Sequence, residues 1–128
     1  MSSSLAKTRR NQVLESNRLT DSTGQGVAVT VGGDSTLDLA LRNNVITGTN
    51  SAAARIDAAG TSDLCAEITG NTFGANLEFV ESTTGSFRVE QFGNAMGNLL
   101  ATLNTFTTGS IVVSGTVESV ADGNCLIP

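Results

Sequence analysis

The chain has 128 residues, 39% apolar and 4% aromatic, with five Phe, fourteen Gly, one Pro and no Trp, Tyr or His. That length is one domain, and the lack of His excludes a Ser-His-Asp triad, a Cys-His pair and an imidazole metal ligand. The net charge of −5 is uneven: Lys7, Arg9, Arg10 and Arg18 crowd the start, and the rest is strongly acidic, which argues against nucleic-acid binding.

No apolar run approaches the roughly 18 residues of a membrane span, so no membrane insertion is expected. Met1-Ser2-Ser3-Ser4-Leu5-Ala6-Lys7 lacks the apolar stretch of a signal peptide. The basic start reads as solvated surface.

Residues 1–22 are expected to be irregular or a partial first coil, although Asn17-Arg18-Leu19 sits 27 residues before Asn44-Val45-Ile46. From residue 23 to 120 the chain repeats. Val27-Ala28-Val29-Thr30-Val31 aligns with Ala54–Ala58 and then with Leu77–Glu81. A second strip, Leu37–Ile46, recurs 27 residues on as Leu64–Phe73, a further 23 on as Phe87–Met96, and a further 24 on as Ile111–Val120. Each strip alternates apolar and polar residues, the period of a half-buried strand. Turn clusters such as Gly32-Gly33-Asp34-Ser35 and Thr83-Thr84-Gly85-Ser86 separate them. A period of this length holding two or three short strands is one turn of a β-solenoid, whose apolar face is buried only by stacking.

The alternation assigns Val27, Val29, Leu37, Leu39, Leu41, Ile56, Leu64, Ile68, Phe79, Phe87, Val89, Ile111 and Val113 to the interior. The outward columns read Ala28, Arg55, Glu78, Thr102 with Thr30, Asp57, Val80, Asn104 on one strip. On the other they read Asp38, Cys65, Arg88, Val112 with Ala40, Glu67, Glu90, Ser114. Asn44, Asn71 and Asn94 each follow a strand and precede a short apolar one at Ile46, Phe73 and Met96. They are expected at corners with φ > 0, with their amides bonded from coil to coil as a ladder. Met96, Leu99, Leu100 and Leu103 recur at helical spacing, predicting a short helix over 95–104 that packs its leucines on the solenoid. Residues 121–128 form a tail.

Leu64-Cys65-Ala66-Glu67-Ile68-Thr69-Gly70-Asn71-Thr72-Phe73, Phe87-Arg88-Val89-Glu90, Ser110–Val117 and the ending Gly123-Asn124-Cys125-Leu126-Ile127-Pro128 together resemble the C-terminal part of large bacterial right-handed β-helix repeat proteins. The resemblance covers roughly residues 10–128. It implies an all-β fold, a right-handed parallel β-helix (β-solenoid) of about four coils with one short helix near 95–104; right-handed parallel crossovers are also the general preference. It further implies an extracellular or cell-surface location and a non-catalytic C-terminal scaffold, cap or adhesive stalk. The partners it implies are upstream β-helix coils, with self-association through an open N-terminal end as a further route. It favours a Cys65–Cys125 disulfide, the alternative being two independent thiols. The tail after Val120 is long enough to turn back across two coils to Cys65.

The alternative function is a polysaccharide-binding or polysaccharide-cleaving module, since enzymes acting on acidic polysaccharides share this fold. Its candidate residues are Arg55, Asp57 and Glu78, two carboxylates beside one cation. The same three make an ordinary cross-strand ion pair. Glu67 above Glu90 sets like charges on neighbouring rungs. Nothing in the sequence implies a cofactor or metal: Gly32-Gly33-Asp34 is one imperfect copy of a calcium repeat that needs many, and Gly24-Gln25-Gly26 lacks the helix and third glycine of a dinucleotide loop.

Overall fold

A computed structural model describes residues 9–21 and 23–127. Alternating apolar residues make short strands, and the turn residues between them bend the chain into four successive coils. The first coil holds β1 (Arg9–Glu15), β2 (Arg18–Thr20) and β3 (Val27–Val31). The second holds β4 (Thr36–Arg42), β5 (Val45–Thr47) and β6 (Ala54–Ala58), and the third holds β7 (Asp63–Thr69), β8 (Thr72–Phe73) and β9 (Leu77–Glu81). The fourth holds β10 (Phe87–Glu90), helix α1 (Asn98–Thr102), β11 (Thr105–Phe106) and β12 (Ile111–Ser114), and β13 (Glu118–Val120) closes the stack. Three parallel sheets result, β1-β4-β7-β10-β13, β2-β5-β8-β11 and β3-β6-β9-β12. The molecule is a parallel β-solenoid.

The interior is one apolar column. Leu39, Leu41, Ile46, Ile56, Leu64, Ile68, Phe73, Leu77, Phe79 and Val89 are fully buried in it. Every residue assigned inward by the alternation belongs to this core or packs against it, Val27 and Val113 being half-buried. Phe79 makes edge-on contacts with Phe87 and Phe92, at centroid distances of 5.9 and 5.5 Å, the arrangement aromatic pairs favour. The register is the expected one for Val29 on Ile56 between the first and second coils, and for Leu37 on Leu64 and Ile46 on Phe73 between the second and third.

The fourth coil departs from the expected register. Ile111–Ser114 lies on Leu77–Val80, not on Phe87–Glu90, which is instead paired with Glu118–Val120. The cause is the stretch 91–104, which leaves the sheet at Gln91 (φ 54) and returns at Thr105. Ile-Val-Val-Ser matches Phe-Arg-Val-Glu in the sequence only because every strand here shares the period-2 pattern. Val112 and Ser114 therefore take the outward places expected for Thr102 and Asn104, and Glu118 and Val120 take those expected for Val112 and Ser114.

Within 91–104, Phe92 turns into the core and its carbonyl accepts bonds from the N–H groups of Leu99 and Leu100 at 3.1 and 3.2 Å. Phe92 and Leu100 are fully buried and close the top of the apolar column. The helix is shorter than expected because Gly97, with φ 74, is a left-handed cap before its first residue, and a right-handed helix cannot run through it; a Cβ there would lie 2.9 Å from the Phe92 ring. Met96 and Leu99 consequently face solvent, 66% and 44% exposed; of the leucines expected to pack on the solenoid, Leu100 and Leu103 do and Leu99 does not.

At the other end, part of the span expected to be irregular or partial is regular. β1 pairs with β4 along all seven residues, from Arg9 on Thr36 to Glu15 on Arg42. β1 nevertheless lacks the apolar pattern of the repeat, because the positions opposite inward Leu37 and Leu39 are Arg10 and Gln12. Residues 1–8 and 22 of that span lie outside the described residues.

Candidate functional site

Four asparagines line up at the corner between the first and second sheets. The Asn17 N–H and Nδ2 donate to Asn44 Oδ1 at 3.0 and 3.1 Å, and those of Asn44 donate to Asn71 Oδ1 at 2.9 and 3.0 Å. Asn71 donates in the same way to Asn104 Oδ1 at 3.0 and 2.9 Å. Each Nδ2 of Asn44, Asn71 and Asn104 also reaches a main-chain carbonyl, of Leu14, Leu41 and Ile68 respectively. The ladder thus includes the expected Asn44 and Asn71 but not Asn94. Asn104 holds the fourth rung, after the inserted helix.

Asn94 does different work: its Oδ1 accepts the N–H groups of Met96 and Asn98, fixing the turn into α1. The expectation of φ > 0 at the ladder residues is also corrected. Positive φ falls one residue earlier, at Ser16, Asn43 and Gly70, because that residue turns the corner so that the asparagine amide can point along the stack.

Arg55 of β6 spans two carboxylates, Nη2 at 3.5 Å from Asp57 Oδ2 and Nη1 at 3.6 Å from Glu78 Oε1, so the three expected residues do come together. The Arg55 side chain is 39% exposed and both acids 25%. Pairs so exposed contribute about 0.2–1 kcal/mol. Around them Ala28, Thr30, Val80, Val112 and Ser114 share the outer face by register. The Arg55 cation on this face is already shared by two acids.

The two outward glutamates are each satisfied within the chain. Arg42 grips Glu67 with two bonds, Nε to Oε2 at 3.0 Å and Nη2 to Oε1 at 2.7 Å, a fork geometry. These bonds raise the Arg42 pKa above its ordinary value. Glu90 is buried, and its two oxygens accept the N–H groups of Gly123 and Cys125 at 3.0 and 2.6 Å. Among the described residues no three His, Cys, Asp or Glu side chains are placed to hold a metal ion.

The Glu90 contacts belong to a strap. After β13 the chain reverses at Ala121–Asn124, with Gly123 at φ 85 and the Asn124 N–H on the Ala121 carbonyl. It then runs back over the outer face of the first sheet. Arg88 Nη1 donates to Asn124 Oδ1 at 3.1 Å, the Leu126 N–H donates to Asp38 Oδ1 at 3.4 Å, and Cys125 is disulfide-bonded to Cys65 with Cα atoms 5.4 Å apart. The strap therefore touches β4, β7 and β10. Cys65, although it points outward, is 1% exposed. Glu90 and Asp38 escaped the sequence reading as strap partners; their signal was their outward place, Asp38 in the same column as Cys65 and Glu90 in the neighbouring one.

The opposite end has a cavity of about 620 Å³, lined by Arg10, Gln12, Leu14, Leu19, Val29 and Leu37 among others. It is the interior of the first coil, bounded by β1 and β3. Each of β1, β2 and β3 is the terminal strand of its sheet. No counterpart of Phe92 and Leu100 fills this end among the described residues.

No family model, no curated protein and no solved structure matches this chain. The class it can be given is that of its fold, a disulfide-strapped parallel β-solenoid. No helix among the described residues is long and apolar enough to cross a membrane, and a disulfide is consistent with an oxidising, extracellular location.

Proposed function

We propose that the chain is a non-catalytic terminal segment of a longer bacterial β-solenoid, exported to the cell surface or beyond, where it scaffolds and closes the stack. The observation that supports this most is the asymmetry of the two ends. Both ends finish on three terminal strands, but one is filled by buried Phe92 and Leu100 and held by the covalent strap across the first sheet, whereas the other surrounds a cavity. Repeat stacks are stabilised by neighbour contacts, and terminal repeats are the atypical ones. The polysaccharide reading has less support, because Arg55 is already balanced by Asp57 and Glu78.

Adding a coil tests the proposal. A copy of residues 36–62 inserted before Arg9, with the copied Leu37→Glu so that Arg10 gains a partner, keeps the 27-residue register of β1 on β4. The extended chain is expected to melt several degrees higher in one transition, with a steeper denaturant dependence from the added buried surface. An unchanged melting temperature, with the added coil digested by protease, would contradict it.

A further inference from the structure

The open end is chemically selective. In the second coil the inward side chains of the first sheet are Leu37, Leu39 and Leu41; in the first coil the same places hold Arg10, Gln12 and Leu14. Arg10 and Gln12 are exposed at the mouth of the cavity, while Leu14 and Leu19 are half-buried beneath it. A coil laid on β1 would take Arg10 out of water. A cation in that position needs an opposed carboxylate, and Gln12 needs a hydrogen-bonding group.

We infer that the partner of this end is a parallel coil that sets a carboxylate over Arg10, a polar side chain over Gln12, and aliphatic residues over Leu14, Leu19 and Val29. The inference rests on the reading of the chain as a terminal segment and names the chemistry of what joins it. Charge complementarity decides against a second copy docked mouth to mouth, since its strands would run antiparallel and the inward residues of β1 are Arg10, Gln12 and Leu14, none of which offers Arg10 a carboxylate. The surface of contact is the cavity rim plus the outer edges of β1, β2 and β3, which no strand among the described residues pairs, so affinity comes from main-chain pairing and selectivity from the inward charge. A wholly apolar coil is rejected by the same means, because it leaves the Arg10 charge buried without a partner.

The test uses the full chain carrying the added coil, with the copied position over Arg10 made Glu, Leu or Lys, each with native Arg10 and with Arg10→Glu. Arg10 is exposed in the unextended chain, so Arg10→Glu is expected to fold normally there, which thermal melts of the unextended variant check. With Arg10, the Glu coil should melt about 10 °C above the Lys coil, with Leu between them. With Arg10→Glu the order should reverse. If all three coils stabilise the chain equally, or the order is unchanged by Arg10→Glu, the selectivity is refuted while the terminal-segment reading stands. If none stabilises it, that reading fails and the inference falls with it.

Discussion

Replacing both Cys65 and Cys125 by alanine is expected to destabilise the protein by about 2–4 kcal/mol, which for a chain of this size lowers the melting temperature by about 10 °C. The bridge joins residues 60 apart in sequence, so in the chain-entropy description its main effect is on the unfolded ensemble. A second effect acts on the folded state. Without the bridge, the strap over β4, β7 and β10 depends on the Gly123 and Cys125 N–H bonds to Glu90 and on the Asn124 and Leu126 contacts. If it lifts, Glu90 loses both partners for its buried carboxylate. Paired melts of the wild type and the double variant under identical buffer measure the effect. Equal melting temperatures would show that the strap contributes nothing. The bridge leaves neither cysteine a free thiol, so neither should alkylate in the native protein, and peptide mapping without reductant should recover Cys65 linked to Cys125.

Asn71→Ala is expected to cost about 3–5 kcal/mol, the sum of several buried groups left unpaired at about 1–3 kcal/mol each. Asn71 Oδ1 accepts two bonds from Asn44, and its Nδ2 donates to the Leu41 carbonyl and to Asn104. Alanine removes all four at a site 1% exposed, where water cannot replace them without opening the corner. Asn94→Ala serves as the comparison. It loses only the turn contacts to Met96 and Asn98 in an exposed segment, a cap-like loss of about 1 kcal/mol. Urea denaturation of the two variants separates the cases. Similar costs would mean that the ladder does not run through Asn71.

The parts of this molecule that follow from period-2 alternation were legible in the sequence. Val27–Val31, Leu37–Ile46 and their copies at Ala54 and Leu64 read as strands in register, and the interior residues followed from the same pattern. The pattern fails where it carries no information about which sheet a strand joins. Ile111–Ser114 alternates like any other strand, and only the insertion of Phe92 into the core and the return at Asn104 send it onto β9. Asn94 misled for a related reason: its spacing matched the ladder, but Gln91 had already turned the chain out of the sheet.

Among the candidate site residues, Arg55, Asp57 and Glu78 were found together because strand register fixes outward neighbours. The fork between Arg42 and Glu67 was missed, since the sequence paired Glu67 only with Glu90. It lies on a diagonal between adjacent strands, Arg42 being opposite Thr69. The polar mouth at Arg10 and Gln12 appeared in the sequence merely as a poor fit to the repeat; in the structure the misfit marks the end of the stack.

Amide hydrogen exchange on the native, oxidised chain tests the asymmetry of the two ends most directly. Protection should be greatest in β4 to β9, remain high in β10 and at Phe92 and Leu100 under the closed end, and fall sharply in β1, β2 and β3, whose outer edges have no strand beyond them among the described residues. Exchange from Val13, Thr20 and Thr30, whose N–H groups alternate with those bonded to the second coil and so face the outer edges, as slow as from Ala66, Phe73 and Phe79 would contradict it, because the N-terminal end would then already be closed.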